Sequence, residues 1–560
     1  MSKVYGIDLG TTYSAIATLD DKGVPEIIEN YADSSPLLAS AVYFPEGGTP
    51  VVGREAKVQA EIEPDRVVQF IKREIGKDNA GIYKIDGTEY DPITISALIL
   101  KRMKEYAEEQ GYEVNDVVIT CPAYFGTEER NATRQAGIIA GLNVLNIINE
   151  PTAAALNYCS KEFKENQKIL VYDLGGGTFD VTLFNFSVSE AGEASIEVLA
   201  TDGDNHLGGA DWDAQLFEDI CRRYADKRSM ERAELDKTVE EKIHNEVETV
   251  KRSLSSLTKK SFAINYDDIA VKVEVNRDSF EKETRELVDR TIEFVKQLLE
   301  KSHLTTDDID TVLLVGGSSN MPMVKTAIDK LFEGKVRREE PDLAVAKGAA
   351  LAAAIAWNET INKEPPKQGE GTKKGKTDSA DDRKPINILG NIGSLSEDFF
   401  KDILSRSFGP GVMVGNNEYV IDNILFAGDP SPSKVSKVYV VPDDDLPEID
   451  VPIFENLSID HENTFVTPCV DIYYNPQETD PALKVKYLGE ISIKLPEGTK
   501  RGTPIEIVFY YSTSGLDVTV INQITKERQQ TQIVTQNTKT LEELKEDTDR
   551  FRTLKTSGQI

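Results

Sequence analysis

Val4-Tyr-Gly-Ile-Asp8-Leu-Gly10-Thr11-Thr12-Tyr13-Ser-Ala15 is echoed by Ile169-Leu-Val-Tyr-Asp173-Leu-Gly175-Gly176-Gly177-Thr178-Phe-Asp180-Val181. Each stretch is a short apolar run, then Asp-Leu-Gly, then hydroxyl residues. An apolar run that ends in glycine predicts a buried strand feeding a tight turn. Glycines let successive backbone N–H groups close around phosphate oxygens, and the hydroxyls add donors. An aspartate at the turn can hold a hydrated Mg²⁺ through its waters. One such loop would usually just turn the chain. Two copies, one in each half of a domain, predict two hairpins that grip one polyphosphate from opposite sides.

Around these loops, residues 1–360 mix strand-like runs with alanine-rich helical stretches, which predicts an α/β domain. Asp116-Val-Val-Ile-Thr-Cys121 reads as a strand, the region around Ser96–Glu109 as an amphipathic helix, and Ala344–Trp357 as a terminal helix. The composition then changes. Residues 361–385 are almost wholly Lys, Glu, Asp, Gly, Pro and Ser, which predicts a flexible hydrophilic linker. Beyond it, alanine is limited to Ala427 and Ala482, and alternation takes over in Glu490–Leu495, Ile505–Tyr511 and Asp517–Ile521. This predicts an antiparallel β-sandwich over 386–533. A short helical period (Leu541, Leu544, Phe551) predicts at most a few helical turns in the tail, residues 534–560.

The 560 residues carry a formal net charge of -32, which argues against nucleic acid as a main partner. No apolar stretch is long enough to span a bilayer, and a first strand near Val4 leaves no room for a signal peptide. Cys121, Cys159, Cys221 and Cys469 are scattered without metal or redox spacing, and the four histidines form no zinc motif. These features predict a soluble cytoplasmic protein with reduced cysteines.

Five motifs then bring the chain close to a known family. They are Gly6-Ile-Asp-Leu-Gly-Thr-Thr12, Ile148-Asn-Glu-Pro-Thr-Ala-Ala154, Asp173-Leu-Gly-Gly-Gly-Thr-Phe-Asp180, Gly203-Asp-Asn-His-Leu-Gly-Gly209 and Leu314-Val-Gly-Gly-Ser318. The chain resembles the Hsp70 chaperones. The C-terminal resemblance is weaker and rests on Tyr487–Leu495, Lys500–Val508 and Gly515–Val520. It implies an actin-like ATPase domain followed by a β-domain that holds extended peptides.

The resemblance also implies roles. Asp8 and Asp173 would position hydrated Mg²⁺, with K⁺ nearby. Gly10, Thr11, Thr12, Tyr13, Gly175, Gly176, Gly177 and Thr178 would wrap the phosphates. Lys72, Glu150, Asp173, Thr178 and Asp180 make up the implied catalytic group, with Lys72 offsetting charge on the γ-phosphoryl group. Read alone, Lys72 would be a solvated surface lysine. Glu248, Lys251, Arg252 and Ser255 lie at i, i+3, i+4 and i+7, so they share one helical face. The plain reading is a solvated face with an ordinary ion pair; by resemblance they contact ribose and adenine. Gly316, Gly317, Ser318, Asn320 and Asp342 would close the adenosine side. Pro122 and Arg130 match positions that transmit nucleotide state, and a strand-ending proline and a helix-surface arginine explain them equally well.

The chain departs from the family at three places. Asn320 stands where the family carries an adenine-stacking arginine. Asn146 stands where the family carries an arginine that docks the J-domain co-chaperone. A hydrophilic stretch replaces the short apolar linker, leaving Ile386-Asn-Ile-Leu389 as the candidate docking strand, and the chain ends without the long helical lid. The leading reading is a slow Mg-ATP-hydrolysing chaperone for unfolded or extended polypeptide, with a nucleotide exchange factor as a further partner. The alternative is a nucleotide-gated scaffold for a dedicated protein partner, with weak coupling between domains. A sugar kinase or an actin-like filament shares the core but lacks the Gly203–Gly209 loop and the appended β-domain.

Overall fold

The computed structural model describes residues 3–558 apart from 61, 78–79, 163–165, 189–193, 268, 339, 363–385, 387–399, 415–417, 467–484, 513–514 and 533–537. Most of the predicted linker, and Cys469, therefore lie outside the described residues.

The two Asp-Leu-Gly stretches occupy matching places in two sheets. Tyr5–Asp8 pairs antiparallel with Tyr13–Leu19 and parallel with Asp116–Cys121, which continues to Asn143–Asn149. Gln167–Leu174 pairs antiparallel with Phe179–Val188 and parallel with Thr311–Val315. In both sheets a hairpin lies beside a parallel neighbour, so each Asp-Leu-Gly turn emerges at a hairpin tip. The helices Glu150–Lys161 and Ala344–Asn362 fill the space between the lobes. They share a core with Val4, Val118, Ile169 and Leu313 from the two sheets. Their alanines allow close backbone approach. A Cβ on Gly348 would lie 1.7 Å from the Ala153 carbonyl oxygen, and one on Gly6 2.0 Å from the Ala350 nitrogen. The alanine richness of the terminal helix is thus a packing requirement as well as a helix preference.

The helix Lys237–Ser256 buries Val239, Ile243, Val247, Val250 and Leu254. It packs with the hairpin Lys259–Tyr266/Ile269–Asn276 onto the second lobe. Its other face is left to the cleft between the lobes.

The C-terminal region is β-rich. One sheet runs Phe465–Val466, Glu418–Asp422, Ser407–Val414, Glu448–Asn456, Lys486–Lys494; the other runs Ser433–Val440, Pro504–Ser512, Gly515–Asn522, Arg528–Gln532. Phe408, Ile453 and Ile491 from the first sheet share a core with Ile507, Phe509 and Val518 from the second. The strand Gly515–Asn522 alternates half-buried and buried positions, as a one-sided strand should.

The attachment of this region runs through a strand beyond the predicted linker. The strand that joins the nucleotide-lobe sheet is Phe400–Ile403, which pairs parallel with Ala194–Asp204 (Ile196↔Phe400, Glu197↔Lys401). Of the predicted docking strand only Ile386 is described. Its backbone N–H donates to Asn358 Oδ1 at 2.8 Å, and its carbonyl accepts from Asn358 Nδ2 at 2.9 Å. Polar composition between the two domains hid an edge-strand addition, whose main-chain bonds depend little on side-chain type.

The tail also docks. The helix Leu541–Thr553 starts at a capping box between Thr540 and Glu543. Phe551 is buried in the core of the first lobe with Tyr5, Met103 and Tyr106. Gln135 Nε2 donates to the Lys539 carbonyl at 2.7 Å, and the Lys539 N–H returns a bond to Gln135 Oε1 at 2.8 Å. Ser557 bonds through its backbone to Pro50 and Val52.

Candidate functional site

The two hairpin tips face each other across a cleft of about 530 Å³. Their contact leaves no room for side chains on the glycines. A Cβ on Gly176 would lie 2.3 Å from Thr12 Oγ1, and one on Gly177 2.8 Å from Thr11 Cγ2. Behind them, a Cβ on Gly208 would lie 2.6 Å from Gly177 Cα. The loop Gly203–Gly209 thus backs the second tip, and the Gly209 N–H donates to the Gly175 carbonyl at 2.9 Å. On the first tip, the Gly10 N–H donates to Ser14 Oγ at 3.1 Å, and Ser40 Oγ donates to the Gly10 carbonyl at 2.8 Å. Both turns are held in shape by their own hydrogen bonds.

At the floor, Lys72 Nζ pairs with Glu150 Oε1, and both side chains are buried. The reading of Lys72 as a solvated surface lysine is excluded, since the residue is 7% exposed. Thr120 Oγ1 donates to Asp8 Oδ1 at 3.2 Å. Burial, then Glu150, push the Asp8 carboxyl up to about 7. Burial and neighbouring carboxylates likewise hold Asp173 and Asp180 well above the usual range. Asp180 stands directly across the hairpin from Asp173, and its Oδ1 has no hydrogen-bond partner. Four carboxyl groups thus surround one ammonium. That surplus fits a hydrated cation held through water, and among the described residues no three such side chains converge as direct metal ligands.

The remaining candidates sort cleanly. Gly10, Thr11, Thr12, Tyr13, Gly175, Gly176 and Thr178 line the cleft, as do Glu248, Lys251, Arg252, Ser255, Gly316, Gly317, Ser318, Asn320 and Asp342. Gly177 and Asp180 stand behind its wall. The helical face Glu248–Ser255 is therefore a cleft wall and not an ordinary solvated face. Its charges already have partners. Lys251 Nζ donates to the Gly209 carbonyl at 2.8 Å and to Asp213 Oδ2 at 2.6 Å. The Arg252 guanidinium lies 5.4 Å from the Tyr13 ring centre.

Sequence reasoning missed Lys57 and Asp213. Lys57, on the short helix Arg54–Gln59 of the first lobe, pairs with Glu248 on the second. Burial would lower the Lys57 amine, but Glu248 and Tyr13 hold it above its ordinary range. Nothing in the sequence marks this pair, because 191 positions separate the partners. It bridges the two lobes beside the cleft. Lys57→Ala is expected to speed release of a fluorescent ADP analogue about two- to fivefold in stopped flow, the scale of a partly exposed pair. An unchanged rate would mean that the mouth is not held by this contact.

A second polar cluster ties the site to the β-rich region. Arg130 donates to Asn149 Oδ1, and Asn149 Nδ2 donates to Asp402 Oδ2 at 2.9 Å. Asn149 directly precedes Glu150. Arg130 is thus part of the interface between the domains, which overturns its reading as a helix-surface arginine. Nearby, Glu128 pairs with Lys486, and Ser405 Oγ donates to the Phe125 carbonyl at 3.1 Å.

The fold and the cleft define a two-lobed, actin-like nucleotide-binding domain carrying a docked β-rich region. Residues 4–364 match the family model described as Hsp70 protein, and the chain belongs to the Hsp70 family. It is 36% identical over 462 residues to the chaperone protein DnaK of Thermosipho melanesiensis, covering 81% of this chain and 70% of that protein. It is 43% identical over 363 residues to the chaperone protein DnaK of Thermotoga neapolitana, covering 63% of this chain and 59% of that protein. Among the described residues, no helix is long and apolar enough to cross a membrane.

Proposed function

We propose that this chain is an ATP-hydrolysing chaperone whose β-rich region takes up extended polypeptide. The observation that carries the ATPase half is the pair of facing Asp-Leu-Gly tips above a buried Lys72–Glu150 pair. The glycine turns and the Thr11, Thr12 and Thr178 hydroxyls hold the phosphate chain in line. Lys72 offsets charge on the γ-phosphoryl group, and Glu150 holds Lys72 and an attacking water. A hydrated Mg²⁺ would be held by Asp8 and Asp173 through water, with K⁺ nearby, and would neutralise phosphate oxygens when bound. Asp180 adds its carboxyl beside Asp173 to the negative field that favours a cation.

The Asn149–Asp402 contact and the docked strand Phe400–Ile403 favour coupling between nucleotide state and the β-rich region. They support the chaperone reading over an uncoupled scaffold for one partner. ATP turnover by the full chain, with and without an extended apolar peptide, tests this. Several-fold stimulation by unrelated peptides is expected. Turnover that responds only to one native protein would favour the scaffold. A J-domain is expected to stimulate weakly, given Asn146, and an exchange factor would act on the cleft mouth.

A further inference from the structure

A purine offers two π faces, and a cleft that binds adenine firmly places a cation or an aromatic ring against each. Arg252 supplies one guanidinium. Asn320 supplies none, and its amide is committed: Nδ2 donates to the Gly317 carbonyl at 3.0 Å and to Asp342 Oδ2 at 3.3 Å. Two further cations line this part of the cleft, Lys325 and Arg338. Lys325 is paired with Asp329 one helical turn on. Arg338 is exposed, and among the described residues it makes no ion pair or hydrogen bond.

The fold pins the loop that carries Arg338. Val336–Arg337 pairs parallel with Thr311–Val315, the strand that delivers Gly316 and Gly317 to the cleft. The Gly316 N–H donates to the Pro341 carbonyl at 3.0 Å. A Cβ on Gly317 would lie 2.6 Å from Asp342 Oδ1. Arg337 and Pro341, which flank Arg338, are therefore tied to this strand and to the glycine turn that follows it. Burial raises the Asp342 carboxyl, and Arg252, Asn320 and Arg338 work to lower it, so both guanidiniums act on one carboxylate that lines the cleft.

We propose that Arg338 is a specificity-determining residue that supplies the second guanidinium at the base of a bound adenine nucleotide, in the role Asn320 cannot fill. The inference rests on the nucleotide reading above. It deepens that reading by assigning the base contact to a residue from a different loop. Nothing in the spacing of the sequence marks Arg338, because the pairing of the strand just before it brings it to the cleft.

Titration calorimetry on the full chain tests it, with ADP and with inorganic tripolyphosphate, which lacks a base. Arg338→Ala is expected to weaken ADP about three- to thirtyfold and to leave tripolyphosphate unchanged. Arg338→Lys should recover only part of the loss, because an ammonium does not stack as a planar guanidinium does. Adding Asn320→Arg to Arg338→Ala should restore ADP binding. Wild-type ADP affinity in Arg338→Ala would overturn the proposal. So would an equal loss for ADP and tripolyphosphate, which would mean a general charge effect. A wild-type chain that melts cooperatively yet binds neither ligand would overturn the nucleotide reading itself, a result distinct from either.

Discussion

Lys72→Ala is expected to lower the ATP hydrolysis rate at least about a hundredfold, the scale of losing one preorganised charge-stabilising group, while ATP and ADP still bind. Among the described residues, the lysine is the cation set among Asp8, Glu150, Asp173 and Asp180. Its charge matters most when negative charge shifts on the γ-phosphoryl oxygens. Binding survives because the nests around Gly10 and Gly175–Gly177 are shaped by their own hydrogen bonds and not by Lys72. Removing it leaves Glu150 without its ammonium partner in a buried site. Single-turnover hydrolysis of labelled ATP, with calorimetry for binding, measures both effects. Turnover at the wild-type rate would remove Lys72 from the mechanism.

Docking of the β-rich region is expected to weaken about tenfold between pH 6 and pH 8, and Glu455→Gln to abolish most of that change. Glu455, on the strand Glu448–Asn456, is buried against the helix Thr127–Ile139. A Cβ on Gly126 would lie 3.1 Å from its Oε1. Glu128 and Glu129 face it from that helix, with Arg130 beyond them. Arg406 faces it from the turn after Phe400–Ile403, Lys486 from the neighbouring strand, and Tyr511 from the second sheet. Three carboxyl groups thus meet two close cations. Burial first, then Glu129 and Glu128, push the Glu455 carboxyl up to about 7 against the pull of Arg406 and Lys486. Undocked and solvated, it would return toward its ordinary 4.5. The raised value belongs to the docked state. Docking is therefore favoured when the group is protonated, and that advantage is lost as pH rises from the undocked value through about 7. Energy transfer between dyes on the two regions of the full chain, read across this range, measures it. A flat profile in the wild type, or an unchanged slope in Glu455→Gln, would show that another group carries the proton. Asp402, also raised by burial, is the next in line.

Much of the fold could be read locally. Asp116–Cys121 is a strand at the predicted bounds, and the terminal helix runs on from Trp357 to Asn362. The alternating runs near the C-terminus are strands with one buried face. These readings succeed because strand and helix periodicity are written in neighbouring residues. The two glycine tips were equally legible, since a glycine turn after a buried strand is a local device and here occurs twice. Arg130 was open to two readings, and the pairing of Phe400–Ile403 was not foreseen. A charged residue on a helix and a short segment beyond a polar stretch have no local signal of what packs on them.

The sequence by itself determined the two-lobed α/β domain, the paired glycine tips and the family. Their residues act through backbone geometry within a few positions of one another. Only the tertiary structure decided which side chains complete the site and what the appended region rests on. Lys57 meets Glu248, Asn149 meets Asp402, Phe551 enters the first lobe, and Arg338 reaches the cleft through the pairing of the strand just before it. Each of these contacts joins residues or elements far apart along the chain. Such partners are chosen by how the layers stack, because a side chain's charge or apolar surface does not specify the distant group that will lie against it.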